Sequence, residues 1–472
     1  MSDADVPPKE RNPDPGRRSD VISSNPSGSP HPLGSSAATR ASPLRGPPDI
    51  DAYAVWRNAD YRLYAAGWFL MAFGKMVETV AVGVHVYDQT RSALYLGLIG
   101  LVQALPVIVL AIAGGQIADR LDRRRVLMLM LGLSTLVSIG LAAATWYEAP
   151  TGWLYLLLGL GAVFQALGSP SRAALLPQIV GPEVFTNAVT WNSSVFQVAS
   201  VTGPAIGGIL LGLCDASTAF VLVAFCRLLA FGAITGVRCR PIARATESVS
   251  WHSLAAGIRF VWKTKLILAT ITLDLFAVLF GGATYLFPVF CRDLLGVGDD
   301  AVGYLRAADA AGAIAMAVLL AHLPPMRRAG RTMLWAVAGF GAATVIFGLS
   351  RSFWLSMAAM FVVGALDNIS VVVRHTLVQM LTPDAMRGRV SAVNGVFIVA
   401  SNDLGGLESG LTAWVFDPVI SVVGGGIATI LVVIGAARLW PEVLSIGSLH
   451  EIRPPDGTWA KEEAGHELAA RT

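Results

Sequence analysis

Apolar residues fall in twelve long runs along the chain, separated by short segments that carry Pro, Gly, Asp or clustered Arg. A helix needs about 20 apolar residues to cross a bilayer, and these runs are of that size. The pattern therefore predicts an all-α membrane protein with twelve transmembrane helices. The predicted spans are 61–86, 92–115, 126–146, 152–171, 186–212, 217–237, 266–290, 300–322, 332–350, 354–374, 390–415 and 418–440.

Positive charges concentrate in alternate loops. Short loops rich in Lys and Arg stay on the cytoplasmic side of a membrane. We therefore expect both termini to be cytoplasmic, because the loops that would then lie outside hold only Arg91, Arg292 and Arg351. The loops that would then lie inside hold Arg120, Arg123, Arg124, Arg125, Arg172, Arg238, Arg240, Arg244, Arg259, Lys263, Lys265, Arg327, Arg328, Arg331, Arg387 and Arg389.

The two halves of the chain repeat one another at a near-constant offset. A parallel repeat of this kind puts a pseudo-twofold axis along the membrane normal and a substrate site near the midplane between the halves. The repeated pairs are Arg172 and Arg374, Pro182 and Pro383, Glu183 and Asp384, Phe196 and Phe397, and Ser200 and Ser401.

This repeat sets the expected domain boundaries. We expect two six-helix halves, a cytoplasmic linker with an amphipathic surface helix from Trp251 to Trp262, and a cytoplasmic tail at each end, the first of them disordered. In order, the predicted regions are the N-terminal tail at 1–57, the first half at 58–238, the linker at 239–265, the second half at 266–440 and the C-terminal tail at 441–472.

Composition and motifs exclude several classes of protein. The chain has 472 residues, of which 54% are hydrophobic and 14% charged, whereas soluble domains contain about 25% charged residues. A net charge of +3 is too small to indicate nucleic-acid binding. The sequence has no Walker-type phosphate loop, no Gly-x-Ser-x-Gly elbow and no cysteines at metal-ligand spacing, so we expect no enzyme, no metal and no cofactor.

The loop Gly115–Arg125 resembles the first inner-loop signature of the major facilitator superfamily, Gly-x-x-x-Asp-Arg-x-x-Arg-Arg. The resemblance implies that Asp119 locks an inner gate against the cytoplasmic end of the eleventh span, with Arg120 and Arg124 as partners. The corresponding second-half loop, 324–331, keeps the arginines but lacks the acid. The complete set expected at this gate is Gly115, Asp119, Arg120, Arg123, Arg124, Arg172, Arg374 and Arg389.

A second motif lies in span five, where Gly203, Pro204, Gly207 and Gly208 resemble the Gly-Pro-x-x-Gly-Gly element of the superfamily's antiporters. The alternative is that these glycines serve only close helix packing. An upstream glycine of the fuller family pattern is Ala199 in this chain.

The region from Arg57 to Trp440 resembles the enterobactin-exporter-like, transmembrane secretion effector branch, through residues 169–177, 273–282 and 382–389. The resemblance implies a monomeric secondary exporter in a bacterial cytoplasmic membrane. Protons would drive amphipathic small molecules such as drugs or siderophores out of the cell by alternating access. An importer or proton symporter, and a transport-inactive receptor, stay open as alternatives.

Ionisable residues inside spans are costly unless paired or hydrated, so each marks a candidate site. Lys75 and Glu78 share one helical face; either they form a local ion pair, or Glu78 loads and releases a proton. Arg227 needs an anion, from the protein or from the substrate. Asp367 and Arg374 share a face, so we expect Arg374 to order the inner gate. The candidates for proton coupling, in order of preference, are Glu78, Asp309, Asp274 and Asp403.

Overall fold

The computed structural model describes residues 51, 53–240, 251–324, 326–383 and 386–447. Within these residues, twelve spans are long and apolar enough to cross a membrane, which confirms the predicted fold. The helices are α1 (Ala59–Thr90), α2 (Ala93–Arg120), α3 (Arg123–Trp146), α4 (Thr151–Ile179), α5 (Pro182–Leu213), α6 (Ala216–Gly236), α7 (Trp251–Lys263), α8 (Lys265–Phe280), α9 (Phe287–Val289), α10 (Asp300–His322), α11 (Ala329–Leu349), α12 (Phe353–Leu381), α13 (Arg387–Val415), α14 (Pro418–Leu439) and α15 (Pro441–Leu444).

Short polar side chains begin several of these helices. Asn58 Oδ1 accepts a hydrogen bond from the backbone N–H of Asp60 at 2.9 Å, and Asp122 caps α3 by accepting from Arg125 N at 2.9 Å. Such caps satisfy N–H groups that have no partner within the helix. α2 continues to Arg120, beyond the predicted span end at residue 115, because backbone hydrogen bonding does not stop where the apolar run stops.

The seventh span, predicted as one continuous run, is interrupted. α8 ends at Phe280, a 3-10 helix spans Gly282–Leu286, and α9 leads into a π-helical turn at Phe290–Leu294. A Cβ on Gly282 would lie only 2.4 Å from the Gly405 carbonyl oxygen. Glycine at the interruption therefore permits close contact with α13.

The two halves share one pattern of helix contacts. In the first half, α1 packs on α5 and α6, α2 on α4, and α3 on α4 and α6. In the second half, α8 packs on α13 and α14, α10 on α12, and α11 on α12 and α14. The halves meet where α2 packs on α13 and where α5 packs on α10.

We call the end of the bundle that holds the α2–α3 loop the basic end, and the other the opposite end. Near the opposite end, both joints between halves pair a glycine with a glycine. A Cβ on Gly97 of α2 would lie 3.0 Å from Gly410 Cα of α13, and a Cβ on Gly303 of α10 would lie 2.6 Å from Gly208 Cα of α5. Small residues let helix backbones approach closely in a bilayer.

Polar contacts also join the halves at the opposite end. Arg292, after α9, forms an ion pair with Asp88 of α1, and its Nε donates to Asp299 Oδ1 at 2.6 Å. The hydroxyl of Tyr87 donates to Asp293. These contacts hold the first helix of one half against the interrupted span of the other.

The expected boundaries of the tails need correction. Residues 1–50 of the predicted N-terminal tail lie outside the described residues, but Ala54–Arg57 form a 3-10 helix. There Val55 is fully buried, and the Trp56 ring meets Trp191 of α5 at 5.3 Å between centroids. These apolar side chains are buried against the first half, which explains why the segment folds.

The beginning of the C-terminal tail also packs onto the bundle. α15 buries Val443, and the Ala329 N–H of α11 donates to the Gly447 carbonyl at 3.1 Å. Residues 448–472 lie outside the described residues.

The linker contains α7 at the position of the expected amphipathic helix. Phe260 and Val261 are buried, and a Cβ on Gly257 would lie 3.0 Å from the Arg389 carbonyl of α13. The apolar face of α7 therefore packs on the second half at its basic end.

Candidate functional site

A triad of charges lies inside the first half. Glu78 of α1 is 5% exposed, and its two oxygens contact different cations. Lys75 Nζ lies 3.1 Å from Oε1, and an Arg227 NH2 group of α6 lies 2.7 Å from Oε2. Glu78 is therefore the anion that Arg227 requires, and it forms the local ion pair with Lys75 that was one of the two expected alternatives.

Hydrogen bonds to neighbouring helices fix the two cations of this triad. Arg227 donates to the Ser134 carbonyl of α3 at 3.1 Å and to the Ser138 hydroxyl. Lys75 donates to Gln103 Oε1 of α2 at 2.8 Å. A carboxylate held by two anchored cations is neutralised in place, so Glu78 is poorly suited to exchange a proton with each transport cycle.

A small cavity of about 20 Å³, room for about one water molecule, lies between the halves beside this triad. Lys75, Glu78 and Gln103 line it from the first half, and Tyr285 and Arg306 line it from the second. Its apolar walls are formed by Val80, Val82, Leu96, Ile99, Leu158, Pro288 and Val302. We call this space the interface cavity.

Arg306 was absent from the residues singled out in the sequence. It lies near the start of α10, where an arginine resembles an interfacial residue, yet its Nε is buried and has no hydrogen-bond partner among the described residues. An NH2 group donates to the Thr284 carbonyl at 3.0 Å, and the guanidinium carbon lies 5.8 Å from the Phe287 ring centroid. The interruption of the seventh span thus supplies both Arg306 contacts.

A second space, of about 120 Å³, lies within the second half, and we call it the acidic cavity. Asp309 of α10 and Asp367 of α12 both line it, together with Asn402 and Tyr285. No cation of the described residues forms an ion pair with either carboxylate. Tyr285 lines both cavities, and its hydroxyl donates to Asp403 Oδ1 at 2.9 Å.

Arg374 pairs with a carboxylate on another helix. Arg374 of α12 is 3% exposed and forms an ion pair with Asp274 of α8, whereas Asp367, which shares its helical face, lines the acidic cavity. Asp274 is 8% exposed and was a candidate for proton coupling. Because both charges are buried and paired, this contact ties α8 to α12 within one half.

The Gly203–Gly208 segment of α5 packs tightly against both halves. A Cβ on Gly203 would lie 2.6 Å from Met76 Cβ of α1, and a Cβ on Gly208 would lie 2.5 Å from the Asp300 carbonyl of α10. Gly207 faces Val77 of α1, with its hypothetical Cβ 3.4 Å from Val77 Cα. The Pro204 carbonyl lies against Gly303 of α10, so the motif forms part of the α5–α10 joint.

A family model described as transmembrane secretion effector matches residues 50–448. The chain belongs to this family. The family is part of the major facilitator superfamily, so the chain is a multi-pass membrane transporter of small molecules and not an enzyme. The predicted family resemblance is confirmed.

Among relatives of this transporter, the enterobactin exporter of Shigella boydii is 26% identical over 354 residues, which are 75% of this chain and 85% of the relative. The enterobactin exporter of Escherichia coli matches with the same figures. Solved structures show the same fold. A nucleoside transporter covers 81% of this chain and 100% of its own at a TM-score of 0.65 and 11% identity. A bacterial homologue of the human lysosomal transporter Spinster covers 83% and 97% at 0.64 and 16% identity.

At the basic end of the transporter, two arginines at the start of α3 bind backbone carbonyl groups of neighbouring helices. Arg123 donates to the Ala118 and Ala174 carbonyls at 3.3 and 3.1 Å, and Arg124 Nε donates to the Ile234 carbonyl at 3.3 Å. Carbonyls at helix C-termini lack partners within the helix and attract cations. These two arginines therefore join α2 and α3 to α4 and α6.

The other expected gate residues lie near the same end. Gly115 is buried, Asp119 is half-buried and Arg120 is exposed. Arg389 of α13 is half-buried, and its NH1 group lies 3.5 Å from Met386 Sδ. Arg172 of α4 stacks over the Trp68 ring of α1, with 3.7 Å from the guanidinium carbon to the ring centroid. The gate role of Asp119 stays a prediction.

Proposed function

We propose that this transporter is a proton-driven exporter of amphipathic small molecules across a bacterial cytoplasmic membrane, with its basic end in the cytoplasm. The observation that carries the proposal is the arrangement of two adjoining cavities. The interface cavity lies between the halves, where alternating access would expose it to each side in turn. The acidic cavity beside it holds two carboxylates that form no ion pair with any described residue.

Outward direction is supported by relatives that are named enterobactin exporters and by the resemblance of Gly203–Gly208 to the antiporter element. Siderophores and drugs are the cargo classes that this resemblance suggests. A symporter or importer would share the same scaffold, since one fold serves many substrates.

Asp309 and Asp367 are the proposed proton carriers. Glu78 is neutralised by Lys75 and Arg227, and Asp274 by Arg374, so these carboxylates have fixed structural partners. The two carboxylates of the acidic cavity have no ion-pair partner in the part of the chain that the structure describes, and a buried charge without one is costly in a membrane. Taking up a proton removes that cost, which couples protonation to the conformation of the second half.

The test is efflux from proteoliposomes with and without an imposed proton gradient, over a panel of dyes, antibiotics and catecholate siderophores. We expect a compound to be transported against its gradient only while the proton gradient exists. Asp309→Asn is expected to abolish this dependence while the protein still inserts and folds. Asp215→Asn, which changes an exposed carboxylate at the opposite end, is the matched control and should behave as the wild type.

Three results would contradict the proposal. Uptake of the compound with protons, measured in cells as higher accumulation than in controls, would replace export with import. Active transport by Asp309→Asn and Asp367→Asn with unchanged dependence on the proton gradient would remove proton coupling from the acidic cavity. Absence of flux for every compound, with or without a gradient, would favour a transport-inactive receptor.

A further inference from the structure

A groove of about 510 Å³ lies between α11 and α12 at the basic end of the second half. α11 packs mainly on α12 and α14 of its own half, whereas the two halves meet through other helices, α2 on α13 and α5 on α10. Trp335, which lines the groove, is 77% exposed. The groove therefore opens to the surrounding bilayer and not to the space between the halves.

The lining of this groove changes from charged to apolar along α11. Arg328 and Arg331 lie where α11 begins at the basic end, and Trp335 follows one turn further along the helix. The wall on α12 is formed by Leu366 and Ile369. A Cβ on Gly339 would lie 2.9 Å from Leu366 Cδ1, which places Leu366 about 15 Å along α11 from its first residue at 1.5 Å per residue. The groove thus has a cationic mouth and an apolar interior.

The two arginines at the mouth have no partner in the part of the chain that the structure describes. Arg328 and Arg331 are exposed, and their side chains form no hydrogen bond or ion pair with the described residues. At the start of α3 in the first half, Arg123 and Arg124 instead donate to backbone carbonyls of neighbouring helices. The second-half arginines are therefore available to a partner from outside the bundle.

The start of α11 adds to the positive potential at this mouth. A helix N-terminus carries a partial positive charge, and no side chain of the described residues caps this one. All the lining residues are neutral or basic, since Thr332 and Ala336 complete the set. Basic pockets between membrane helices bind phosphate-bearing lipid headgroups, and Trp side chains are typical of the headgroup level.

We propose that this groove binds one anionic phospholipid from the leaflet at the basic end. Its phosphodiester lies between Arg328 and Arg331, and an acyl chain lies along Trp335, Leu366 and Ile369. Charge and shape both favour this occupant, because a phospholipid joins an anionic group to a long apolar chain as the groove joins a cationic mouth to an apolar interior. The site is separate from both cavities, so the proposal does not depend on the cargo or on proton coupling.

The test compares two lipids that differ in headgroup charge. The full chain in dodecyl maltoside is titrated with phosphatidylglycerol and with phosphatidylcholine of identical acyl chains, and native mass spectrometry counts the lipids bound. We expect the first phosphatidylglycerol to bind about tenfold more tightly than phosphatidylcholine, because only phosphatidylglycerol has a net negative charge for two arginines to attract. Equal affinity for the two lipids would overturn the proposal.

Variants at exposed positions locate this preference. Replacing Arg328 and Arg331 together by glutamine should remove it, and replacing both by lysine should keep most of it because the charge remains. Arg327→Gln is the matched control, since it removes the same charge from a residue of the same segment that does not line the groove. A preference that survives in the folded double glutamine variant would overturn the site. An equal loss in Arg327→Gln would show only attraction by the overall charge of the loop.

Two further measurements distinguish a lipid from other occupants. sn-Glycerol 3-phosphate has the phosphate without the chains, and we expect it not to displace phosphatidylglycerol at equal concentration. Trp335→Ala should weaken phosphatidylglycerol binding several-fold, because it removes the apolar wall. Displacement by glycerol phosphate, or unchanged affinity in Trp335→Ala, would assign the arginines to a soluble phosphate. Deletion of residues 448–472 should leave the affinity unchanged, and a tenfold rise would assign the groove to that segment of the chain.

Discussion

The two halves place an arginine at repeated positions, Arg172 in α4 and Arg374 in α12, and give it different partners. Arg172 stacks 3.7 Å from the centroid of Trp68 on α1, whereas Arg374 pairs with Asp274 on α8. Trp68 and Asp274 both lie on the first helix of their half, α1 and α8. An aromatic face attracts a cation and leaves its charge in place, while a carboxylate cancels that charge. In both halves the arginine therefore joins the fourth helix to the first, but only in the second half is its charge neutralised.

The two halves also differ in the sign of the charge that is in excess among their buried residues. In the first half, Lys75 and Arg227 share Glu78, and positive charge is in excess. In the second half, Asp309 and Asp367 form no ion pair with described residues, and carboxylates are in excess. The two halves share a helix arrangement but differ in their charged residues. The first half places Lys75 beside the interface cavity, and the second half holds the proposed proton carriers Asp309 and Asp367.

The largest loss in free energy of unfolding is expected when the buried pair of Arg374 and Asp274 is broken. Asp274→Ala leaves Arg374 buried without its anion, and breaking a buried pair in this way costs about 3–5 kcal/mol in free energy of unfolding. Denaturant unfolding in detergent measures the loss. The double variant Asp274→Ala with Arg374→Leu should recover most of the stability, and a single variant as stable as the wild type would show that the pair is dispensable.

The gate loops are also unequal, because only the first half has an acid at the position of Asp119. We expect Asp119→Asn to insert normally and to lower export about tenfold or more, since an interaction with a charged group contributes about 1.5–3 kcal/mol. Asp122→Asn is the control, because it removes a charge from the same loop while asparagine still caps α3. Wild-type export kinetics in Asp119→Asn would refute the gate role.

The two joints between the halves, α2 on α13 and α5 on α10, should contribute similar amounts to the free energy of unfolding. A Cβ on Gly100 of α2 would lie 2.1 Å from the Asp403 carbonyl, and a Cβ on Gly208 of α5 would lie 2.5 Å from the Asp300 carbonyl. Alanine at either site should cost about 1–3 kcal/mol through overpacking, measured as unfolding free energy. Gly435→Ala, which has nothing within 4 Å, is the control and should be neutral. A large cost at one joint alone would show that the halves are held mainly from one side.

The smallest effect is expected at Trp68. Trp68→Phe keeps an aromatic ring under Arg172 but weakens the cation–π contact and loses the Nε1 hydrogen bond to the Asn192 carbonyl, at a cost of about 1 kcal/mol. The same unfolding assay measures it beside Asp274→Ala. If Trp68→Phe lowered the free energy of unfolding as much as Asp274→Ala does, the contacts of Arg172 and Arg374 would be equally important for stability.

Prediction from sequence worked best where the signal is local. Apolar runs identified all twelve spans, and three-residue spacing placed Lys75 beside Glu78. It failed at Gly281, where the seventh span breaks inside an apolar run, because hydropathy does not report backbone conformation. It also did not identify Asp274 as the partner of Arg374, since spacing along one helix says nothing about the helix that packs against it.

By itself, the sequence determined that this protein spans a membrane twelve times in two repeated halves, because the bilayer imposes its thickness on every span. The motif at Gly115–Arg125 determined its superfamily. Only the tertiary structure decided which charges are neutralised, since the partners of Arg227 and Arg374 come from other helices. It also showed that Arg306 lines the interface cavity, which no spacing along the chain reveals.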